Sequence, residues 1–136
     1  MKRTGLVTRA RGVRFLAPAL ALCLIAAPAA AEALSGDKLK SFISGKRIYL
    51  AVPLGGEIPL NYRPGGTVDG TGEAAGLGRY MTPKDRGRWW VSGNRLCQKW
   101  QQWYDGKTFC FTVTKLADSR IRWVRDDGKS GIARLR

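Results

Sequence analysis

The chain has 136 residues and no histidine. That absence removes the imidazole that serves as general base in Ser and Cys triads, and the His ligands of catalytic zinc. Acids are scarce too, 10 against 24 Lys and Arg, for a net charge of +14. Most of them (Asp69, Glu73, Asp85, Asp105, Asp118, Asp126, Asp127) are expected in turns, where Asp bonds its own backbone, rather than as the paired carboxylates of a glycosidase. Asp126-Asp127-Gly128 lacks the ligand spacing and terminal Glu of a calcium loop. No G-x-x-x-x-G-K-[ST] phosphate loop occurs. The one long apolar run, Phe15 to Ala27, is broken by Pro18 and falls short of the ~20 residues of a membrane-spanning helix. No catalytic residue, metal site or cofactor is therefore assigned.

The first positive feature is the N-terminus. Lys2, Arg3, Arg9, Arg11 and Arg14 precede the apolar run, which ends in small residues, the layout of a secretory signal peptide. Two small-x-small sites compete, Ala29-Ala30-Ala31 before Glu32 and Ala31-Glu32-Ala33 before Leu34. Taking the first, residues 1–31 are the signal and 32–136 form a single periplasmic or secreted domain. That domain keeps 19 basic and all 10 acidic residues, a charge of +9. Removal of Cys23 leaves Cys97 and Cys110, an even pair in an exported chain, so a disulfide is expected.

The domain reads as a short helix followed by about seven antiparallel strands, a mainly β meander curled into an open sheet or small barrel. Ser35 is the expected N-cap, Leu34 and Leu39 a hydrophobic staple, and Leu39, Phe42 and Ile43 one apolar face closed by Gly45. Ile48, Leu50 and Val52 form one strand's apolar set and Ile58, Leu60 and Tyr62 the next. A five-residue loop from Pro53 to Glu57 brings both sets to one face, with Val52 opposite Ile58. Four glycines between Asp69 and Gly78 suggest a mobile loop.

The cysteines fix a register. A two-residue Asp105-Gly106 turn would pair Cys97 with Thr114 and leave Cys110 four residues, roughly 13 Å, away along the strand, too far for a disulfide. If Cys97 faces Cys110, then Leu96 faces Phe111, Gln98 faces Phe109, and a loop over Gln101 to Gly106 carries Trp103 and Tyr104 near its tip. A tight Ser92-Gly93-Asn94-Arg95 hairpin pairs Val91 with Leu96 and sets Trp90 over the disulfide. Asp127-Gly128 reads as a type I′ turn into the last strand.

Gly66-Thr67-Val68, Gly87-Arg88-Trp89-Trp90-Val91, Leu96-Cys97 with Trp100, Cys110-Phe111 with Val113, and Arg122 to Gly128 resemble a group of small exported alphaproteobacterial proteins described as a domain of unknown function. The resemblance covers about two thirds of the mature chain and implies export, an all-β domain and a disulfide. It implies no activity and no ligand.

What remains is positive charge interleaved with aromatics. Arg79-Tyr80, Lys84, Arg86, Arg88 beside Trp89 and Trp90, Lys99-Trp100, Trp103-Tyr104, and Arg120, Arg122 and Arg125 around Trp123 supply cations and flat stacking surfaces. Trp89, Trp100 and Trp123 fall on the core pattern. The candidate binding residues are Trp103, Tyr104, Lys99, Arg86, Arg88, Arg122 and Arg125. The expected function is a non-catalytic envelope protein binding an anionic polymer or glycan surface. An inhibitor or accessory subunit that engages a protein partner through aromatic loops is the alternative. Nucleic acid ranks behind both, because an exported domain seldom meets it.

Overall fold

The computed structural model describes residues 5, 10–13, 23–26, 30–52, 55–72 and 82–136. Most of the expected signal, the Pro53-Leu54 part of the first loop, residues 73–81 of the glycine-rich segment, and with them Arg79 and Tyr80 lie outside the described residues. Cys23 is described and is an exposed free thiol. Among the described residues no helix is long and apolar enough to cross a membrane.

Among the described residues, nine strands and one α-helix follow in chain order: β1 (Glu32–Ala33), α1 (Gly36–Ile43), β2 (Arg47–Ala51), β3 (Glu57–Tyr62), β4 (Thr67–Thr71), β5 (Lys84–Ser92), β6 (Arg95–Trp100), a 3₁₀ turn (Trp103–Gly106), β7 (Thr108–Ala117), β8 (Arg120–Arg125) and β9 (Ser130–Leu135). From β2 to β9 each strand pairs antiparallel with the next, and β9 returns to pair with β2 through Ile48 opposite Leu135. The meander thus closes into an eight-stranded barrel, with β1 as an additional strand against the far half of β7.

The alternation that wrote the strands also fills the interior. Ile48, Ile58, Leu60, Tyr62, Val68, Trp89, Leu96, Trp100, Val113, Ile121, Ala133 and Leu135 are all buried in one core. Leu34, Leu39 and Ile43 join it from α1 and its lead-in. Backbone bonds from Gly36 N–H to Gly93 O and from Gly45 N–H to Tyr62 O fix α1 over the end where β5 turns into β6. Ser35 is the N-cap residue by position, but its hydroxyl caps nothing.

The cysteine register is as expected. Cys97 faces Cys110 and is disulfide-bonded to it, Leu96 faces Phe111, and Gln98 faces Phe109. The β5–β6 hairpin pairs Val91 with Leu96 and Trp90 with Cys97.

Four expectations need correction. Asp69 to Thr71 belong to β4, in the segment read as a loop, because Gly70 faces inward where no side chain fits. With β1, that raises the strand count from seven to nine. The β2–β3 register is displaced by two residues: Leu50, not Val52, faces Ile58, so the apolar faces still coincide. The turn after Arg125 is not type I′, since Gly128 has a positive φ and Asp127 does not.

Two glycines on the inner face, Gly70 and Gly131, make room for tryptophan, and a third, Gly87, for main chain. A Cβ on Gly70 would sit 2.8 Å from both Leu60 and the Trp103 ring, and one on Gly131 would sit 2.8 Å from Trp123. At Gly87 the obstacle is main chain, Lys99 O at 2.2 Å, which cannot swing aside. Gly87→Ala is therefore expected to cost about 3 kcal/mol or more, at or beyond the upper end of overpacking penalties. Gly65→Ala, where a Cβ meets nothing within 4 Å, should cost no more than about 0.5 kcal/mol. Urea unfolding of both variants checks this, and equal costs would contradict it.

Candidate binding face and the loops beside it

Strand β5 carries two sequences at once. Its inward residues are Asp85, Gly87 and Trp89; its exposed ones are Lys84, Arg86, Arg88 and Trp90. Side chains two apart on one face stand roughly 7 Å apart, so the three cations make a row that ends at an indole. Lys99 of β6 lies directly across from Arg88, and Thr67 of β4 flanks Arg88 on the other side. Like charges directly opposite across a strand pair destabilise it. Among the described residues none of Lys84, Arg86, Arg88 and Lys99 makes an ion pair; the acids they could use are already engaged.

Asp69 illustrates this. It faces Arg86 in register, but its carboxylate accepts hydrogen bonds from Asn61 Nδ2 at 2.8 Å and Arg63 Nε at 2.7 Å. Partial burial pushes its carboxyl up, yet the bonds from Arg63 and Asn61, with the charges of Arg63 and Arg86, outweigh that and hold it below the ordinary value. Asn61, Arg63, Asp69, Lys84, Arg86 and Gln101 contribute to a polar surface depression of about 490 Å³ beside the row.

The loop aromatics are placed differently from expectation. Trp103 is 3% exposed and its ring lies 4.7 Å from that of Trp100, plugging the barrel end opposite α1. The cause is Asp85. Its Oδ1 accepts from Arg86 N–H at 2.8 Å, and its Oδ2 from the backbone N–H groups of Gln102 at 2.9 Å and Trp103 at 2.8 Å. Trp103 Nε1 then donates to Thr82 O at 2.6 Å. These bonds hold a turn in which Tyr104, Asp105 and Gly106 all have φ near +60°, strained for the first two. Trp103 is therefore a core residue and not an accessible recognition tip.

Tyr104 is partly exposed, packed edge-on against Phe109. Arg125 stacks on Phe109 at 4.2 Å and lies over Tyr104, and its guanidinium is tied to Asp127. Arg122 stands on the outer face of β8, opposite Thr114 and Ile132, with β6 and β7 between it and β5. Of the seven residues singled out in the sequence, then, Arg86, Arg88 and Lys99 come together, while Trp103, Tyr104, Arg122 and Arg125 lie elsewhere. Trp90 and Lys84 complete the cluster. The period-two spacing Lys84, Arg86, Arg88, Trp90 is the signal that could have found them.

Asp69 and Asp85 sit in strands, which corrects their assignment to turns. Asp126 and Asp127 serve their turn, accepting from Cys110 N–H, Arg125 and Lys129 N–H. Among the described residues no group of three His, Cys, Asp or Glu could hold a metal ion. Inside the barrel, a cavity of only about 40 Å³ is left beside Gln98 and Tyr62, whose hydroxyl donates to Gln98 Oε1 at 2.6 Å. Comparison with protein-family models, curated proteins and solved structures gives no match.

Replacing Asp85 by Ala leaves the N–H groups of Gln102 and Trp103 without their charged acceptor. The expected loss is about 3 kcal/mol, read by urea unfolding; a loss below about 1 kcal/mol would contradict the clamp. The Arg125 hydrogen bond, aided by Lys129 N–H and both side-chain charges, pulls Asp127 down from the ordinary 3.8 to about 2. A carboxylate with a depressed folded-state value contributes stability that is complete above about pH 4 and lost as pH falls through its folded value near 2. The thermal midpoint should fall over that acid window, and Asp127→Asn should flatten part of the fall. An unchanged acid slope in the variant would contradict the pairing.

Proposed function

We propose that the chain is a non-catalytic exported module that binds an anionic polymer or glycan of the cell envelope through the outer face of β5 and β6. The observation that carries this reading is the Arg88–Lys99 pair: two like charges directly opposite each other, flanked by Lys84 and Arg86, with no neutralising ion pair among the described residues. An arrangement that costs the fold free energy is maintained more readily where it is used. A polymer carrying regularly spaced negative groups supplies the missing counter-charges, several at once along one strand.

Export supports the setting. The basic and then apolar N-terminus is the layout of a signal peptide, and the Cys97–Cys110 disulfide belongs to oxidising compartments. Processing after Ala31 keeps Glu32 and Ala33, which pair with Lys115 and Thr114, whereas processing after Ala33 would discard that strand.

Lys99→Glu separates binding from stability. The new carboxylate faces Arg88, so the thermal midpoint is expected to rise slightly, by the worth of about 0.5 kcal/mol. Binding to dextran sulfate, followed by calorimetry in about 50 mM salt where screening is weak, is expected to fall at least tenfold. Wild-type affinity should also drop steeply as salt is raised. Unchanged affinity in the variant, or affinity independent of salt, would overturn the proposal.

A further inference from the structure

The cation row does not end in solvent. Beyond Arg88, Trp90 stands on the same outer face, 40% exposed although its register partner is the disulfide-bonded Cys97. Covering the disulfide therefore uses only part of the ring. On the other flank of Trp90 is the β3–β4 turn, Pro64-Gly65-Gly66, and above it the exposed Lys40 of α1. Together with Trp89 and Val91 they line a groove of about 220 Å³. Its wall is kept low by glycine: a Cβ on Gly65 would meet nothing within 4 Å, and Gly66 holds a left-handed φ of +88° that other residues rarely adopt. The groove thus combines an aromatic face, a bare main-chain wall and one cation, and it is continuous with the row of Lys84, Arg86 and Arg88.

Cations alone would accept any polyanion, including one made only of phosphate. A half-exposed indole beside a glycine wall contributes something that only a flat ring can use: a CH-rich sugar face lies against the aromatic, while its hydroxyls reach the main chain of the turn. We infer that the Trp90 groove is a sugar-ring subsite, so that the ligand is an anionic polysaccharide, with one pyranose stacked on Trp90 and its negative groups carried along Arg88, Arg86 and Lys84. This rests on the anionic-polymer reading above and narrows it to one ligand class. The positive charge of Lys40, Arg88 and Arg86 supplies the charge complementarity that commits the groove to this occupant.

The test compares two probes on the oxidised domain, dextran sulfate, which has rings, and inorganic polyphosphate, which has none. Trp90→Ala is expected to weaken dextran sulfate binding about tenfold, the worth of one aromatic stacking contact, and to leave polyphosphate binding within a factor of two. Trp90→Tyr should restore most of the loss. Because Trp90 also flanks the disulfide, Gly65→Val provides a second variant that does not touch the ring: it raises the groove wall and should cost dextran sulfate binding alone. If both Trp90→Ala and Gly65→Val bind dextran sulfate as the wild type does, the subsite is overturned while the cation row stands. If the wild type binds neither probe, the cation-row reading falls and the subsite falls with it.

Discussion

Trp103 can lie against Trp100 inside the barrel only because Gly70 presents no side chain there, while Gly87 lets the main chain of β6 come close. The rest of the structure depends on that accommodation. An eight-stranded barrel encloses a volume that side chains can just fill, and here indoles from β5, β6, β8 and the 3₁₀ turn fill it. Glycines in β4, β5 and β9 supply the space and allow the strands to approach closely. The outcome is a packed interior with a cavity of about 40 Å³ beside Gln98 and Tyr62, room for about one water molecule. With the interior filled in this way, the proposed binding face is the outward one.

Strand β5 shows how the two demands coexist in one segment. Period-two geometry sends Asp85, Gly87 and Trp89 inward, where they clamp, admit and fill, and sends Lys84, Arg86, Arg88 and Trp90 outward. Asp85 is the link between the two sides. By accepting two N–H groups of the 3₁₀ turn it seats Trp103 in the barrel end, and with it the strained backbone of Tyr104 and Asp105. The disulfide then pins β6 to β7 at the residue that faces Trp90. The outward row therefore stands on a part of the barrel fixed from below by packing and from the side by a covalent bond.

Much of this was legible in the sequence where two independent constraints coincided. The apolar alternation and the cysteine pairing select the same β6–β7 register, and the Gly93-Asn94 turn selects the β5–β6 register; both are observed. Where only one constraint acted, the reading slipped. Nothing local distinguished a loop starting at Pro53 from one starting at Val52, so the β2–β3 register was displaced by two residues. β4 was hidden because Asp69 and Gly70 are poor strand formers taken singly, and the reason for Gly70 is a tryptophan more than thirty residues later. Trp103 looked like a loop tip because the residue that buries it, Asp85, is on another strand. The cation row was written in plain alternation, but its meaning depends on Lys99 lying across from Arg88, which only the hairpin register supplies.

Among the described residues the outer faces of β5 and β8 both carry arginine without an ion pair, and the proposal puts binding on the first. Titrating the isotopically labelled domain with short dextran sulfate oligomers, and following arginine Nε–H and indole Nε1–H resonances by NMR, decides between them. The account predicts saturating shifts at Arg86, Arg88 and Trp90, with Arg120 and Arg122 unmoved. Shifts confined to Arg120 and Arg122, or spread equally over both faces, would contradict it.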